Sequence, residues 1–516
     1  IVGLEHGEYI FHEVSAPSGY MLMSDVPFTV TDKQEILKVQ GKDLLTVTEL
    51  LKVDENNDPL EGATLQVLKA DGTLVDEWVS TNQAHEIVGL EHGEYIFHEV
   101  SAPSGYVLME DIPFTVTDKQ EILKVQGQDL LTSISILKVD EFYQPLAGAM
   151  LQVLKADGTL VDEWVSTDKA HEIVGLEHGE YILHEVSAPS GYVLMEDIPF
   201  TVTDDPNPIF VLGVNLHTQI EILKVNEENI ALVGATLQLI QLVDGEEILI
   251  DEWVSTDKAY EFSGLAHGEY LVREVSAPSG YVLMEDVAFY VDDQPQIVKV
   301  QGQDLQTRVE IDKFDSDGNK LFGAIMQIIN KATGEVVEEW TTTDETKVVE
   351  GLEHGDYILR EITAPNGFQK VLDIEFTVTD DNGVTILEVT DELTKTIIEK
   401  VDENGKLLTG AHLQIIDENG NVVREFITDG KAYVVEGLAH GTYTLHEVQA
   451  PKGYQLADDI QFTVTDDNGE LVVTMLDKAI VEVPQTGFDQ NTLMFGGLAL
   501  IMVGSAVATK KHKRNN

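Results

Sequence analysis

Hydrophobic and polar residues alternate along much of the chain with a period of two. Val309, Ile311 and Lys313 alternate with Glu310 and Asp312, the pattern of a strand with one buried face. Asp-Gly and Asn-Gly turn signals separate such segments at short intervals. No window carries a sustained helical period. The pattern therefore predicts an all-β fold made of small β-sandwiches.

The same strand and turn pattern recurs about every 86 residues, which indicates tandem units. The predicted units are a truncated copy at 1–45, unit 1 at 46–131, unit 2 at 132–217, unit 3 at 218–306, unit 4 at 307–393 and unit 5 at 394–480, followed by a distinct segment at 481–516. Because the chain begins inside a repeat, we expect it to be a fragment of a longer protein. One aromatic residue per unit is a predicted core anchor: Trp78, Trp164, Trp253, Trp340 and Phe426.

A trio of Lys, Glu and Asp or Asn keeps its spacing through all five units. Each glutamate follows its lysine by 47 to 50 residues and precedes the Asp or Asn by 30. The trios are Lys52, Glu99 and Asp129; Lys138, Glu185 and Asn215; Lys224, Glu274 and Asp304; Lys313, Glu361 and Asp391; and Lys400, Glu447 and Asp477. The truncated copy keeps Glu13 and Asp43, also 30 apart, and we expect their lysine to lie upstream of the fragment.

Strand alternation predicts that the trio points inward. Lys313 lies on the apolar face described above, Glu99 shares its face with Phe97, and Asp391 shares its face with Val389. Three unpaired buried charges are costly, so a chemical reason for the arrangement is expected.

Burial favours a neutral lysine amine, which is a nucleophile, and a protonated glutamic acid, which can polarise a carbonyl and move protons. The amine could then attack the Asp or Asn side-chain carbonyl and expel water or ammonia. The product is an isopeptide bond between the first and last strands. The alternative is a buried Lys–Asp ion pair with an accessory glutamate. Units 4 and 5 have diverged widely but keep the trio, which favours the bond.

Each unit also carries Gly-Leu-x-His-Gly-x-Tyr followed by Glu-x-x-Ala-Pro-x-Gly-Tyr, and unit 4 departs from the final Gly-Tyr with Gly367-Phe368. With the Lys-Val-Asp strand, these motifs resemble the collagen-adhesin B-type, or SpaA-like, domain of Gram-positive surface proteins over residues 1 to about 480. The resemblance implies an immunoglobulin-like or prealbumin-like sandwich. It also implies that the strand lysine bonds the last-strand Asp or Asn, with catalysis by the same glutamate.

The C-terminal segment has three parts in order: the pentapeptide Val483, Pro484, Gln485, Thr486 and Gly487; an apolar stretch from about 492 to 508; and a basic tail. The apolar stretch predicts a helix at the lower length limit for crossing a membrane, with the basic end in the cytoplasm. An ordinary membrane anchor fits this pattern. The order of parts resembles a sortase sorting signal, with Val483 in place of Leu. That resemblance implies cleavage between Thr486 and Gly487 and attachment of Thr486 to peptidoglycan.

The composition excludes several classes of partner and metal site. The net charge of −60 argues against nucleic acid and anionic membrane surfaces. With no cysteine, disulfides and thiolate metal sites are excluded.

One histidine per unit precedes a glycine: His6, His92, His178, His267, His354 and His440. Because each unit supplies only one such histidine, in a turn, a structural role for it is favoured over a metal site. No cofactor is expected.

The sequence is interpreted as the wall-anchored stalk of a secreted Gram-positive adhesin, locked by isopeptide bonds and presenting a distal binding region. Sortase and peptidoglycan are its expected partners. Two alternatives remain open. The chain could be a pilus subunit, or its repeats could themselves bind extracellular matrix or a host protein. An enzyme acting on an external substrate has little support, since no catalytic motif for one appears.

Overall fold

The computed structural model describes residues 1–381, 383–467 and 469–481. Within these ranges the chain forms 41 β-strands and no helix, which confirms the predicted all-β class. No helix capable of crossing a membrane is found in this part of the chain. The predicted C-terminal helix and the pentapeptide lie outside it.

The strands of unit 1 are β5 (Val47–Val53), β6 (Thr64–Lys69), β7 (Leu74–Val79), β8 (His85–Val88), β9 (Gly93–Ser101), β10 (Tyr106–Val107), β11 (Ile112–Val116), β12 (Leu123–Gln128) and β13 (Leu130–Leu131). They form a sandwich of a three-stranded sheet, ordered β12-β5-β8, and a four-stranded sheet, ordered β11-β9-β6-β7. The two short strands β10 and β13 pair with each other.

The other units repeat the two sheets. The truncated copy before unit 1 has β1 (Gly7–Phe11), β2 (Tyr20–Met21), β3 (Val26–Val30) and β4 (Leu44–Leu45). Unit 2 has β14 (Ser133–Asp140), β15 (Met150–Lys155), β16 (Leu160–Val165), β17 (His171–Val174), β18 (Gly179–Ser187), β19 (Ile198–Val202) and β20 (Ile209–Asn215). Unit 3 has β21 (Gln219–Val225), β22 (Thr236–Val243), β23 (Glu246–Val254), β24 (Tyr260–Ser263), β25 (Gly268–Ser276), β26 (Val287–Val291) and β27 (Val298–Gln303).

The last two units keep the same order. Unit 4 has β28 (Arg308–Asp315), β29 (Ile325–Asn330), β30 (Val336–Thr341), β31 (Lys347–Glu350), β32 (Gly355–Thr363), β33 (Ile374–Val378) and β34 (Val384–Asp391). Unit 5 has β35 (Lys395–Asp402), β36 (Thr409–Ile416), β37 (Val422–Asp429), β38 (Tyr433–Glu436), β39 (Gly441–Gln449), β40 (Ile460–Val464) and β41 (Glu470–Asp477).

Each unit has its own apolar core between its two sheets, formed by the inward side chains of alternating strands. In unit 1 the core includes Leu50, Leu65 and Phe97. The predicted aromatic anchors pack as expected: Trp253 and Phe426 lie within their cores, and the other three pack against theirs.

The first and last long strands of a unit lie side by side and run parallel. In unit 2, β14 pairs with β20 so that Lys138 lies opposite Gly213, and Asn215 lies opposite Asp140. The facing four-stranded sheet supplies Glu185 from β18. This topology brings together three residues that are far apart in sequence.

Candidate cross-linking site

All fifteen side chains of the five trios are buried, as the strand alternation predicted. In unit 1, Lys52 is 1% exposed, Glu99 3% and Asp129 0%. Every other trio has a comparable burial. A buried ammonium or carboxylate loses its hydration, which destabilises the charged form. Interactions with the other members of the trio must compensate for that loss.

In units 1, 3, 4 and 5 the structure brings the three members of the trio into contact. Nζ of Lys52 lies 2.9 Å from Oε1 of Glu99 and also contacts Oδ1 of Asp129. The Lys–Asp contact recurs in units 3, 4 and 5. The corresponding Lys–Glu distances there are 3.2, 3.1 and 2.8 Å. The nucleophile, the acyl group and the acid/base group therefore meet at one point.

A backbone N–H fixes one oxygen of each glutamate. The N–H of Met109 donates to Oε2 of Glu99 at 2.8 Å, and the N–H of Met195 donates to Oε2 of Glu185 at 2.8 Å. The equivalent bonds in units 3, 4 and 5 measure 2.9, 2.9 and 2.7 Å. In units 1, 2, 4 and 5 the other oxygen, Oε1, faces the lysine, so the carboxyl group is oriented before any reaction.

Unit 2 differs because its acyl group is the neutral amide of Asn215. The amide nitrogen donates to Oε1 of Glu185 at 3.0 Å, and Nζ of Lys138 lies 3.7 Å from the same oxygen. Within the described part of the chain, neither Lys138 Nζ nor Asn215 Oδ1 has a hydrogen-bond partner. A buried amine and a buried carbonyl oxygen thus lie in one site with unused bonding capacity.

Burial shifts the titration of several trio members toward their neutral forms. It lowers the pKa of Lys138 to about 8 and raises the pKa of Glu185. Loss of hydration likewise raises the pKa of Asp129, Glu274 and Asp391, each to about 7. A neutral amine and a protonated carboxyl group are the forms that amide condensation requires.

Two facing positions pack against the lysine side chain, and where one holds a larger residue the other holds a smaller one. In unit 2, a Cβ added at Gly213 would lie 2.9 Å from Sδ of Met195 and 3.3 Å from Cδ of Lys138, so the methionine needs a glycine opposite it. Units 1 and 3 repeat the Met and Gly pair. Unit 4 has Val371 and Val389 at these positions, and unit 5 has Ala457 and Met475. This compensation keeps the site filled.

The truncated copy retains part of the site. Glu13 and Asp43 line one cavity together with Phe11, Met23 and Gly41. Glu13 also keeps the orienting bond, since the N–H of Met23 donates to its Oε2 at 2.8 Å.

The recurring histidine contacts the preceding unit, which the sequence analysis did not predict. Nε2 of His92 lies 2.8 Å from the carbonyl oxygen of Tyr20, and Nε2 of His178 lies 2.8 Å from that of Tyr106. His267, His354 and His440 make the same contact at 2.8, 2.7 and 2.8 Å. Because a carbonyl oxygen only accepts, each Nε2 carries the hydrogen and has no lone pair for a metal. The histidine therefore joins consecutive units.

A buried threonine completes each junction. The N–H of Thr132 donates to the carbonyl oxygen of Gly105 in unit 1 at 2.9 Å, and its hydroxyl donates to that of Leu176 in unit 2 at 2.9 Å. Gly105 has a φ of 92°, and a Cβ there would lie 3.2 Å from the carbonyl oxygen of Gly175, so close approach of the units requires glycine. Recurrence of Ala-Pro-x-Gly and His-Gly in every unit is the sequence signal that could have indicated this contact.

The chain belongs to the family described as the SpaA prealbumin-like fold domain. The family model matches residues 46–130, 132–215, 218–305, 307–393 and 394–479, so five tandem copies cover most of the sequence. This confirms the resemblance found from the motifs.

Comparison with curated proteins found no match. Among solved structures, the chain is similar to the Bacillus anthracis TIE protein, with 20% identity over 75% of this chain and 71% of that one and a TM-score of 0.34. It is also similar to a streptococcal ancillary pilin, with 20% identity, 50% and 99% coverage and a TM-score of 0.24. BcpA, the major pilin subunit of Bacillus cereus, shows 16% identity, 51% and 99% coverage and a TM-score of 0.26. The family assignment rests on the match to the family model.

Proposed function

We propose that each trio forms an intramolecular isopeptide bond. Nζ of the lysine attacks the side-chain carbonyl carbon of the Asp or Asn, a C–N bond forms, and the C–O or C–N bond to the leaving group breaks. The glutamate takes a proton from the amine and delivers it to the leaving group, which departs as water from Asp and as ammonia from Asn. The observation that carries this proposal is the buried approach of lysine to glutamate in all five units, together with the lysine–aspartate contact in units 1, 3, 4 and 5.

Unit 2 supports the bond over the alternative of a buried ion pair. Asn215 is neutral and cannot pair with the ammonium of Lys138, so the ion-pair interpretation leaves this lysine with Glu185 alone, at 3.7 Å. Both Asp and Asn can serve as acyl donors, so one chemistry accounts for all five units.

We further propose that the linked units form the stalk of a secreted, wall-anchored Gram-positive adhesin and present a distal binding region. Two features support this role: tandem units of one family and junctions that repeat the same hydrogen bonds from unit to unit. Pentapeptide 483–487 would be the sortase signal that attaches the stalk to peptidoglycan. The alternative of a pilus subunit fits the same domains, and no reaction on an external substrate is proposed.

Replacing Thr486 by Ala is expected to move the protein from the cell-wall fraction to the membrane or medium, because cleavage would fall after this residue. The chain is expressed with a secretion signal in a Gram-positive host, and detergent-extracted walls are probed after muramidase digestion. Gln485→Ala, at the variable position of such signals, is the matched control and should stay in the wall. Wall attachment of the Thr486 variant that resists detergent would refute the sortase proposal.

A further inference from the structure

The last strand of unit 2 has an apolar outer face that the corresponding strands of units 1 and 3 lack. β20 is the edge strand of its sheet, and its outward residues are Phe210, Leu212, Val214 and Leu216. At the same positions unit 1 has Lys124, Gln126, Gln128 and Leu130, and unit 3 has Lys299, Gln301, Gln303 and Leu305. Since the three units are otherwise closely similar, this difference is local to β20 and its immediate surroundings.

Two neighbouring strands have changed together. Lys124 forms an ion pair with Glu49 at 2.9 Å across β12 and β5, and unit 3 has the same pair at 3.0 Å. In unit 2 the equivalent register position joins Phe210 to Ser135. Both charges are therefore absent from the unit 2 face, and residues 206–216 contain no charged side chain.

The adjoining loop has changed as well. In unit 1, Nε2 of Gln126 donates to Oδ1 of Asn57 at 3.0 Å, and unit 3 has the equivalent bond. Unit 2 has Leu212 and Tyr143 at these two positions. Tyr143 has a φ of 61°, a left-handed conformation that Asn tolerates and a bulky aromatic residue does not favour. Unit 2 thus keeps an exposed aromatic side chain at a position where it is strained.

Five exposed apolar side chains on β20, directly after it and in the adjoining loop define the apolar patch, with exposures of 76% for Phe210, 41% for Leu212, 56% for Leu216, 67% for Phe142 and 69% for Tyr143. Together they present roughly 600 Å² of surface, taking about 200 Å² for a fully exposed large side chain. This is about three quarters of the roughly 800 Å² that each partner contributes to a specific interface of standard size. Apolar patches of this size are often functional.

We propose that this patch binds the same patch on a second copy of the chain, so that two stalks associate side by side through unit 2. Two chains of charge −60 repel each other over most of their surfaces, and contact is favoured where the charges have been removed. Removing charged residues from this face would not favour binding of a cationic partner. A two-fold contact uses one self-complementary surface, and an uncharged apolar patch provides it. The proposal is independent of the isopeptide bonds.

Single cysteines test this contact directly, because the chain has none. Leu212→Cys is compared with Gln126→Cys and Gln301→Cys, which occupy the same strand position in units 1 and 3. With a short bismaleimide reagent and the full chain, the Leu212 variant is expected to yield about tenfold more cross-linked dimer than either control, since units 1 and 3 lack the patch. Higher salt should raise the yield, because it screens the repulsion between the chains.

A second variant restores the unit 1 residues on unit 2. Phe210→Lys with Ser135→Glu rebuilds the ion pair that units 1 and 3 have, so the fold should be retained. Added to Leu212→Cys, it should reduce cross-linking to the level of the controls. Equal yields at positions 212, 126 and 301, or an unchanged yield in the restored variant, would overturn the proposal and assign the patch to a different partner.

Discussion

Pulling on the two ends of units 2 to 5 is expected to give no unfolding steps of full domain length. In unit 2 the force enters through β14, reaches Lys138, crosses the proposed bond to Asn215 and leaves the unit directly. The 77 residues from Lys138 to Asn215 are bypassed. Without the bond they could extend by about 250 Å, at ~3.3 Å per residue. Only the short connection of nine residues from Asp129 to Lys138 lies between consecutive bonds.

Single-molecule force spectroscopy measures this difference in each unit. A Lys138→Ala or Glu185→Ala change should restore one step of near-full length, and each further unit changed in this way should add another. Repeated domain-length steps in the unaltered chain would show that the trios do not lock the fold.

Replacing the glutamates of all five trios, which are proposed to promote the bonds, is expected to lower the melting temperature by about 20–35 °C. A bond that closes a 77-residue loop reduces the entropy of the unfolded chain and contributes about 4.5 kcal/mol per unit. For a domain of this size, each kcal/mol changes the melting temperature by roughly 4–8 °C. The substitutions are Glu→Gln at residues 99, 185, 274, 361 and 447. Gln keeps an oxygen for the orienting backbone N–H but cannot transfer the proton.

Differential scanning calorimetry gives the melting temperature. Glu→Gln at the exposed residues Glu94, Glu180 and Glu269 provides the control, and it should leave the transition within a few degrees of the unaltered chain. A fivefold variant that also melts within a few degrees of the unaltered chain would mean that the glutamates do not promote a covalent constraint.

Strand alternation was sufficient to predict the fold and the inward orientation of the trio. It works here because each strand has one buried face, so that the position of Glu99 relative to Phe97 determines on which side the glutamate lies. The fixed spacing of Lys52, Glu99 and Asp129 in every unit indicates that the three residues act together, although they come from two different sheets.

Other features could not be obtained from that pattern. Alternation shows that a residue is exposed within its own unit, but it does not show that the preceding unit covers it, as Tyr20 covers His92. The volume exchange between Met195 and Gly213 depends on contacts between strands that are distant in sequence. The unit 2 patch required knowing that Leu212 and Tyr143 occupy the positions of a hydrogen-bonded pair in unit 1.

Intact-protein mass spectrometry of the unaltered chain tests the proposed isopeptide bonds most directly. Five complete bonds should remove four waters and one ammonia, a deficit of about 89 Da relative to the sequence mass. Each single Glu→Gln change at a trio should restore the mass of one leaving group, ammonia for Glu185 and water for the other four. A mass equal to that of the unmodified sequence would contradict the account and leave the trios as buried ion pairs.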